Sequence, residues 1–348
     1  MKSPLRALTL CCCVYLIGCN SNPTAPLDNI FQDYRGQQPG AALRVLKNSK
    51  PILTRTYGLA NLDQPTVITE NTNFRLASIT KHITALAVLM LVNDNKLGLD
   101  TTLTTIFKDF PAYAEDITVE QLLQHRSGLL DYEPLVATEP QQQLSDRDVL
   151  QLMSQQSSTY FPPGTRYRYS NSGYAVLAMI VEQISGLTFY DFLSQKIFQP
   201  SGLDRTLAYV NGVNSIADRA FGYTISNGEI EPSDQSLYSA VLGDGGVYSS
   251  LADLTRWHGL DYGSQLISPA LRQKTLTPGL GDYGFGWRID TYQGHRRYHH
   301  SGSTSGFRHY IARFPDDELT IILLTNRAGP DAQPLAERVL KLYLKPKN

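Results

Sequence analysis

The stretch Phe74-Arg75-Leu76-Ala77-Ser78-Ile79-Thr80-Lys81, with the apolar run behind it, organises the whole chain. From Ile83 onward, apolar residues recur at the three- and four-residue spacing of a helix, and further apolar residues fill its other faces. A helix that is apolar nearly all round is buried, so this one is predicted to lie in the core. Glycine suits a helix C-terminus, and the helix is therefore expected to end near Leu97-Gly98.

Within this stretch, Ser78 and Lys81 are about one helical turn apart and share a face. A serine hydroxyl becomes a good nucleophile when a neighbouring base takes its proton. A lysine amine can take that proton in its uncharged form, which burial favours. The N–H groups at the helix start also stabilise negative charge close to Ser78. A Ser-x-x-Lys match arises about once by chance in a chain of this length, so an ordinary surface pair is the alternative.

The first 18 residues are predicted to be a signal peptide. Lys2 and Arg6 form a basic start, and the apolar core that follows is too short to cross a bilayer. The tetrapeptide Leu16-Ile17-Gly18-Cys19 resembles a bacterial lipobox, whose cysteine is lipidated after cleavage just before it. Cys19 is therefore the predicted lipidation site, and residues 19–37 are predicted to be a tether and an N-terminal helix. A plain secretory signal with an incidental cysteine is the alternative.

Cysteine usage and charge exclude several classes of site. All four cysteines (Cys11, Cys12, Cys13 and Cys19) lie in the N-terminal segment, so the mature body is predicted to lack disulfides and thiolate metal sites. The 31 Lys and Arg residues balance 32 Asp and Glu residues, which offers no case for nucleic-acid binding. The seven histidines have no metal-ligand spacing, and neither a metal nor a cofactor is predicted.

Patterns at the two ends of the chain predict strands, and patterns in the middle predict helices. Strands are expected at residues 41–46, 51–57, 283–289, 297–300, 307–314 and 319–325, and helices at 118–123, 146–154, 172–184, 189–198 and 330–344. The economical arrangement is a sheet built from both chain ends, with helices inserted between. The predicted fold class is α+β, an antiparallel sheet flanked by helices plus a mostly helical subdomain. The catalytic domain would span 38–346, with 38–105 and 241–346 as its α/β part and 106–240 as the helical insertion.

A second candidate motif is Tyr169-Ser170-Asn171, just before a predicted helix. A tyrosine and an amide two residues apart on a loop can project into one cavity, the first to carry a proton and the second to hold a substrate. The alternative is a packed tyrosine beside a helix cap provided by Asn171 or Ser172.

A third candidate motif is His299-His300-Ser301-Gly302-Ser303, at the end of a predicted strand. Successive strand residues face opposite ways, so only one histidine can face a cavity, and His300 is preferred because it stands in a His-x-Gly register. Gly302 would let a substrate run along the strand, and the Ser303 N–H would stabilise an oxyanion. A pair of solvated edge-strand histidines is the alternative.

Taken in order, Ser78-x-x-Lys81, Tyr169-x-Asn171 and His300-x-Gly302 resemble the serine β-lactamase and penicillin-binding protein superfamily, in its class C-like branch. The resemblance spans about residues 38–328 and implies a β-lactamase/transpeptidase-like fold. It implies catalytic roles for three residues: Ser78 as acylated nucleophile, Lys81 as its proton acceptor and Tyr169 as proton shuttle. It implies substrate binding by Asn171, which would also hold Lys81, and by the strand residues His300, Ser301, Gly302 and Ser303. The Ser78 and Ser303 N–H groups would form the oxyanion hole.

This sequence departs from the superfamily pattern at His300, where many β-lactamases and transpeptidases have a lysine. A histidine with a pKa near about 6.5 is mostly neutral at pH 7 and lacks a fixed charge for a substrate carboxylate. His-x-Gly members resemble D,D-carboxypeptidases, D-amino-acid peptidases and esterases more than dedicated β-lactamases. A glutamate motif of the class A deacylation type is not identifiable. His82 and His125 are interpreted as structural, although His82 shares the helix side of Ser78.

The resulting expectation is a serine hydrolase that forms an acyl-enzyme with amide or ester substrates, most like a D-alanyl-D-alanine carboxypeptidase or an esterase. A class C-like β-lactamase and a non-hydrolytic penicillin-binding sensor are the alternatives. The substrate would be a small molecule or a peptidoglycan peptide, and a monomer is favoured. Asn20 does not resemble an inner-membrane retention signal, so the lipid anchor is expected to hold the protein in the outer membrane, facing the periplasm.

Overall fold

The computed structural model describes residues 25–136 and 142–347. The predicted signal peptide and the predicted lipidation of Cys19 lie outside the described residues. The strands are β1 (Ala41–Lys47), β2 (Lys50–Tyr57), β3 (Leu59–Asn61), β4 (Thr66–Val67), β5 (Asn73–Arg75), β6 (Leu207–Ala208), β7 (Tyr223–Ser226), β8 (Glu229–Pro232), β9 (Val247–Ser250), β10 (Arg288–Tyr292), β11 (His295–Thr304), β12 (Phe307–Phe314) and β13 (Leu319–Thr325). The α-helices are α1 (Ala25–Ile30), α2 (Thr80–Asn93), α3 (Leu103–Ile106), α4 (Val119–Leu123), α5 (Asp146–Ser154), α6 (Asn171–Ser185), α7 (Phe189–Phe192), α8 (Leu251–Gly259), α9 (Pro269–Thr275) and α10 (Ala332–Leu340).

Six antiparallel strands from the two chain ends form the main sheet, in the order β10-β11-β12-β13-β1-β2. In the β1–β13 pair, Ala41 lies opposite Thr325. The β1–β2 hairpin turns at Asn48 and Ser49, whose positive φ angles of 51° and 57° match the right-handed twist of the strands. The predicted α+β fold with an antiparallel sheet is confirmed.

The sheet is buried on both faces because helices cover each of them. Along β13 the side chains alternate: Ile321 and Leu323 pack with α1 and α10, whereas Ile322 and Leu324 belong to the core on the α2 side. This explains why every residue of β13 is buried. Within the described residues no single helix is long and apolar enough to cross a bilayer, and the one pair that passes together, Asn171–Ser185 with Phe189–Phe198, is bent by 76°.

The helix after Ser78 forms as predicted but ends earlier than predicted. A 3₁₀ turn at Ala77–Ile79 leads into α2, which ends at Asn93 and not near Gly98. Asn95 adopts a left-handed φ of 57°, its N–H bonds Val92 O, and the Lys96 N–H bonds Leu91 O, both at 3.0 Å. Asparagine tolerates this conformation, so it closes the helix before the glycine.

In the middle of the chain the predicted helices form, and side chains cap them. The Ser145 hydroxyl accepts from the Asp148 N–H at the start of α5, as the Thr118 hydroxyl does from Gln121 for α4. The cap of α6 is Ser170, whose hydroxyl accepts from the Gly173 N–H, so the alternative of a cap at Asn171 or Ser172 is wrong. The side chain of Asn171 is therefore available to the cavity described below.

The predicted strand at residues 283–289 is wrong. Tyr283 makes only an isolated bridge to Arg288, and β10 starts at Arg288. Between them, Gly286 adopts a positive φ of 77° and packs so closely that a β-carbon there would lie 2.5 Å from His82 Cα. This segment is a loop whose aromatic side chains are buried. A strand-like sequence pattern does not distinguish such a buried loop from a strand paired in a sheet. The neighbouring β11 is longer than its predicted range of 297–300.

Candidate active site

Ser78 follows a strained residue at the entrance of α2. Ala77 has a φ of 51°, in the left-handed region, which costs an L-residue roughly 1–2 kcal/mol. Its neighbours on both sides are ordered: the Leu76 N–H bonds Val247 O at 2.8 Å, and Gly245 lies against Ala77, where an added β-carbon would be at the ordinary contact distance of 3.4 Å. Strain that persists in a well-packed setting is typical of functional sites, because the surroundings over-determine the conformation.

The fully buried Lys81 amine joins three parts of the chain. Its Nζ lies 3.1 Å from Ser78 Oγ, 2.9 Å from Asn171 Oδ1 and 2.7 Å from the backbone oxygen of Asp244. Three acceptors match the three N–H donors of an ammonium group. Loss of one proton would leave a lone pair on Nζ, to which the Ser78 hydroxyl could then donate a hydrogen bond. The structure thus brings Ser78, Lys81 and Asn171 into direct contact.

A loop at residues 241–246 supplies the third acceptor, and a distant carboxylate holds that loop. Asp146, the first residue of α5, accepts from the Leu242 and Gly243 N–H groups at 2.8 and 2.9 Å. The Asp244 carboxylate accepts from the Tyr132 hydroxyl at 3.1 Å, and burial raises its pKa to about 6 against the opposing charge of Lys81. Sequence reasoning missed Asp146 as a site residue because it carried only the signal of a helix start.

The Tyr169 ring lies beside Lys81, with Nζ 4.9 Å from the ring centroid. Its hydroxyl is buried and has no hydrogen-bond partner among the described residues. His125 packs against the same ring, with 4.2 Å between the ring centroids and an angle of 37° between the ring planes, and its Nδ1 accepts from the Ser170 N–H at 3.0 Å. His125 therefore positions the loop that carries Tyr169, which agrees with its interpretation as structural.

His300 faces this aromatic group, and its centroid lies 6.2 Å from that of Tyr169. Its Nδ1 is 2.7 Å from Ser301 O, which can only accept, so Nε2 is the acceptor for the Tyr283 hydroxyl at 3.0 Å. Burial, reinforced by the positive charges of Lys81 and Arg288, lowers the His300 pKa well below 6.5. The sequence-based expectation of titration near 6.5 is therefore wrong, because the sequence does not reveal the burial. The preceding His299 points away, toward Asp290 at 3.4 Å.

The strand that carries His300, β11, passes close to Ser78, and part of one of its edges is not paired with β10. The β10–β11 pairing stops at Arg288 opposite His299, whereas β12 pairs with β11 as far as Thr304. Ser303 lines one cavity with Ser78 and Asn171, of about 160 Å³. Ser301 is exposed and borders a separate cavity of about 450 Å³ with Arg288. Beyond His299, β11 thus offers an edge along which an extended substrate can lie.

Sequence reasoning also missed Glu133, which contacts the site. Its Oε1 accepts from Asn171 Nδ2 at 2.8 Å, and it lines the same cavity as Ser78. Asn171 is thereby oriented, with its oxygen on Lys81 and its nitrogen on Glu133. The segment Tyr132-Glu133-Pro134 belongs to no motif, so only the fold reveals this carboxylate.

His82 does not compete with Lys81 as a base. Its Nε2 accepts from Trp257 Nε1 at 2.9 Å, and its ring packs 5.0 Å from Trp287. Burial lowers its pKa to about 3. Residues 25–136 and 142–347 contain no group of three or more His, Cys, Asp or Glu side chains placed to hold a metal.

Comparison with known proteins gives consistent relatives. Residues 27–344 match the family model described as Beta-lactamase. The chain is 30% identical to Penicillin-binding protein 4* of Bacillus subtilis (strain 168) over 293 residues, which cover 78% of this chain and 64% of that protein. It is 28% identical to a D-aminopeptidase of Brucella anthropi, over 91% of this chain and 61% of that protein. The chain therefore spans about three fifths of the length of these curated relatives.

The solved structures include a penicillin-binding protein from Bacillus halodurans, with a TM-score of 0.77 and 28% identity over 91% of this chain and 99% of that chain. The likeness extends over the sheet and the helical part together, since it covers nine tenths of the residues.

Proposed function

This chain belongs to the beta-lactamase family, and from that membership we propose that it hydrolyses amide or ester bonds of small substrates through an acyl-enzyme on Ser78. The observation that carries the proposal is the place of Lys81 Nζ, 3.1 Å from Ser78 Oγ and bonded to Asn171 and Asp244. A nucleophile, a buried amine and an orienting amide in contact are the parts that acyl transfer needs.

In the acylation step, uncharged Lys81 takes the proton of Ser78 Oγ while Oγ bonds to the substrate carbonyl carbon. The carbonyl π electrons move to its oxygen, which the Ser78 and Ser303 N–H groups stabilise. As the oxyanion collapses, the bond to the leaving group breaks and Tyr169 supplies the proton that the departing nitrogen or oxygen takes up. Lys81 returns its proton to Tyr169, so the site ends this step with its original proton count.

The deacylation step reverses these roles with water as the nucleophile. Lys81, directly or through Tyr169, takes a proton from the water as its oxygen bonds to the acyl carbon, and that proton passes to Ser78 Oγ as it leaves. Asn171 holds Lys81 throughout, because its amide oxygen accepts from Nζ at 2.9 Å.

Among possible substrates, we favour short D-amino-acid peptides or esters, as for a D-alanyl-D-alanine carboxypeptidase-like or esterase-like enzyme. The neutral His300 supports this choice over a dedicated β-lactamase, because it provides no fixed charge where many β-lactamases have lysine. We further propose that Arg288, whose guanidinium carbon lies 5.4 Å from the Tyr169 ring centroid, binds a carboxylate on the leaving group. The relatives named above are a penicillin-binding protein and a D-aminopeptidase.

The direct test is intact-protein mass after incubation with a fluorophosphonate, followed by a substrate panel. We expect one adduct on the Ser78 peptide, and turnover of D-alanyl peptides or short esters faster than that of a chromogenic cephalosporin. Rapid cephalosporin turnover would favour the β-lactamase alternative, and a stable penicillin adduct without turnover of any substrate would favour the sensor.

We also propose, from the sequence alone, that a lipid on Cys19 anchors the protein in the outer membrane, where it faces the periplasm. Peptidoglycan peptides would then be within its reach. A monomer is the proposed state.

A further inference from the structure

His309, a buried residue of β12, holds the backbone just ahead of Ser78. Its Nε2 lies 2.6 Å from the backbone oxygen of Arg75, and its Nδ1 lies 3.2 Å from the backbone nitrogen of Thr325. The Thr325 N–H can only donate and the Arg75 oxygen can only accept, so Nδ1 is the acceptor and Nε2 carries the proton. Burial lowers the pKa of His309 to about 4, so the ring is neutral at pH 7 and keeps this arrangement.

The residue opposite His309 on the neighbouring strand is Gly302, and the imidazole fills the space beside it. The two residues are partners in the β11–β12 register, so their side-chain positions share one face of the sheet. A β-carbon at Gly302 would lie 3.3 Å from His309 Cδ2. Phe74 and Phe307 also pack on the ring, with centroids 6.0 and 5.9 Å away. The ring is therefore held in the orientation that aims Nε2 at Arg75.

The bond to Arg75 is the one hydrogen bond, among the described residues, that joins residues 73–80 to the six-stranded sheet. The other hydrogen bonds of this segment lead mainly to α2 and to residues 217–250, and its strand β5 pairs with β9. His309 is thus the polar link between the Ser78 segment and the main sheet.

This link bears on catalysis because the proposed oxyanion hole spans both parts. Ser78 lies in the segment that contains Arg75, whereas Ser303 lies on β11, next to the strand partner of His309. Both serines line the cavity of about 160 Å³. Two N–H groups stabilise one oxyanion only when each lies about 2.7–3.1 Å from its oxygen, so their separation has to be fixed. His309 is only 1% exposed and supplies that constraint from the interior.

We propose that His309 is a positioning residue of this site: its bond to Arg75 sets the separation of the Ser78 and Ser303 N–H groups and so aligns the oxyanion hole. This inference rests on the proposed function and adds to it a residue that acts without contact with the substrate. Because the imidazole also bonds Thr325 on β13, the alignment depends on the main sheet and exists before a substrate binds.

Two variants separate the two bonds of the imidazole. In His309→Asn the amide lies as many bonds from Cα as Nδ1 does, so it keeps an acceptor for Thr325 but is too short to reach Arg75. In His309→Gln the amide lies as far along the side chain as Nε2, so its N–H can donate to Arg75. Both variants lose the ring and its packing. His258→Asn is the matched control, because it removes a second partly buried histidine that contacts β13.

The readouts are the hydrolysis of p-nitrophenyl acetate by the full chain and its inhibition by phenylboronic acid. A boronic acid forms a tetrahedral adduct with Ser78 Oγ and places an oxygen in the oxyanion hole, as the transition state does. We expect His309→Asn to lower kcat/KM by about 100-fold, the usual effect of misplacing reacting groups by about 1 Å, and to raise the Ki of phenylboronic acid by at least about 10-fold. His309→Gln should keep both within about threefold of the wild type, because the bond to Arg75 is retained. His258→Asn should change neither.

Loss of folded protein gives a different pattern. It lowers the amount of active enzyme and hence the apparent kcat, but the molecules that stay folded keep the Ki of the wild type. An unchanged Ki in His309→Asn, or equal losses in His309→Asn and His309→Gln, would overturn the proposal. If His309→Asn does not fold, His309→Phe keeps a ring and removes the same bond; the same rise in Ki is expected, and an unchanged Ki would count equally against the proposal. Absence of any Ser78 adduct with a fluorophosphonate in the wild type would instead overturn the hydrolase function itself.

Discussion

A β-carbon on Gly302 would lie 2.2 Å from the backbone oxygen of Leu76, so β11 and the Ser78 segment touch backbone to backbone. No rotamer change relieves such a contact, because the atom it meets is not in a side chain. The separation between Ser78 and the strand that carries His300 and Ser303 is therefore set by the absence of a side chain at residue 302.

We predict that Gly302→Ala slows acylation by roughly 100-fold, the usual penalty for moving reacting groups apart by about 1 Å. It should also lower the free energy of unfolding by about 1–3 kcal/mol, as overpacking does. The measurements are the rate of fluorophosphonate adduct formation and a urea melt. Gly259→Ala is the matched control, because a β-carbon there meets nothing within 4 Å. Unchanged acylation in Gly302→Ala would contradict this account of the strand.

Ser78 and Lys81 should behave as one unit. Ser78→Ala should abolish adduct formation, and Lys81→Ala alone should slow it by about 10²–10⁴-fold, as for a lost general base. In the Ser78→Ala background, adding Lys81→Ala or Tyr169→Phe should cost almost nothing more in residual esterase turnover. Lys96→Ala is the control, since Lys96 is exposed and pairs with Asp94. An adduct that maps to a different serine would refute the mechanism and leave only the fold.

His300 should stay uncharged at neutral and mildly acidic pH. Because burial lowers the pKa of His300 well below 6.5, protonation of His300 should slow acylation only in more acidic solution. If the rate of acylation changes near pH 6, we assign that change to Asp244, whose pKa is raised to about 6 by burial. That change should persist in His300→Gln and vanish in Asp244→Asn; the reverse would assign it to the imidazole. His300→Lys should raise the ratio of cephalosporin to ester turnover.

Acid should destabilise the fold through its buried histidines. Burial lowers the pKa of His82 to about 3 and those of His258 and His309 to about 4. The unfolded chain, with histidine pKa values near about 6.5, binds more protons at these residues between these limits, so the histidines' contribution to stability is full above about pH 6.5 and is lost as the pH falls. Each such histidine contributes about 1.4 kcal/mol per pH unit to that slope.

Urea melts at several pH values between 7.5 and 5 measure this slope. His82→Gln should flatten it by about 1.4 kcal/mol per pH unit, because a glutamine oxygen can still accept from Trp257 but does not titrate. An identical slope in the wild type and His82→Gln would contradict the burial-induced shift.

The proposed anchor has a simple test. Cys19→Ala should release the protein from membranes or block its processing, since a single lipidated cysteine would carry the attachment. Membrane fractionation and the mass of the mature N-terminus are the measurements. A variant that is processed and fractionates like the wild type would show that residues 16–19 are not a lipobox.

Local patterns predicted those parts of the molecule that local physics determines. β12 and β13 and the β1–β2 hairpin follow from apolar runs and turn residues, and α5 and α6 from helical spacing with caps. The three site motifs were recognisable because they stand in a known order. Asp146 and Glu133 were not, because what places them at the site is contact between segments 97 and 38 residues apart. The His300 pKa likewise depends on burial by several elements.

The pairing of β1 with β13 joins residues as far apart as Ala41 and Thr325. During synthesis, β1 and β2 emerge first but have no neighbour on the β1 side until nearly the whole chain exists. An apolar strand edge that is made early and stays unpaired is a template for aggregation. Pairing between strands that are far apart in the sequence also slows folding. The sheet can therefore close only after the last strands have been made. A chain that stops before residue 319 would keep β1 exposed, so late truncations should be as damaging as the loss of Ser78 itself.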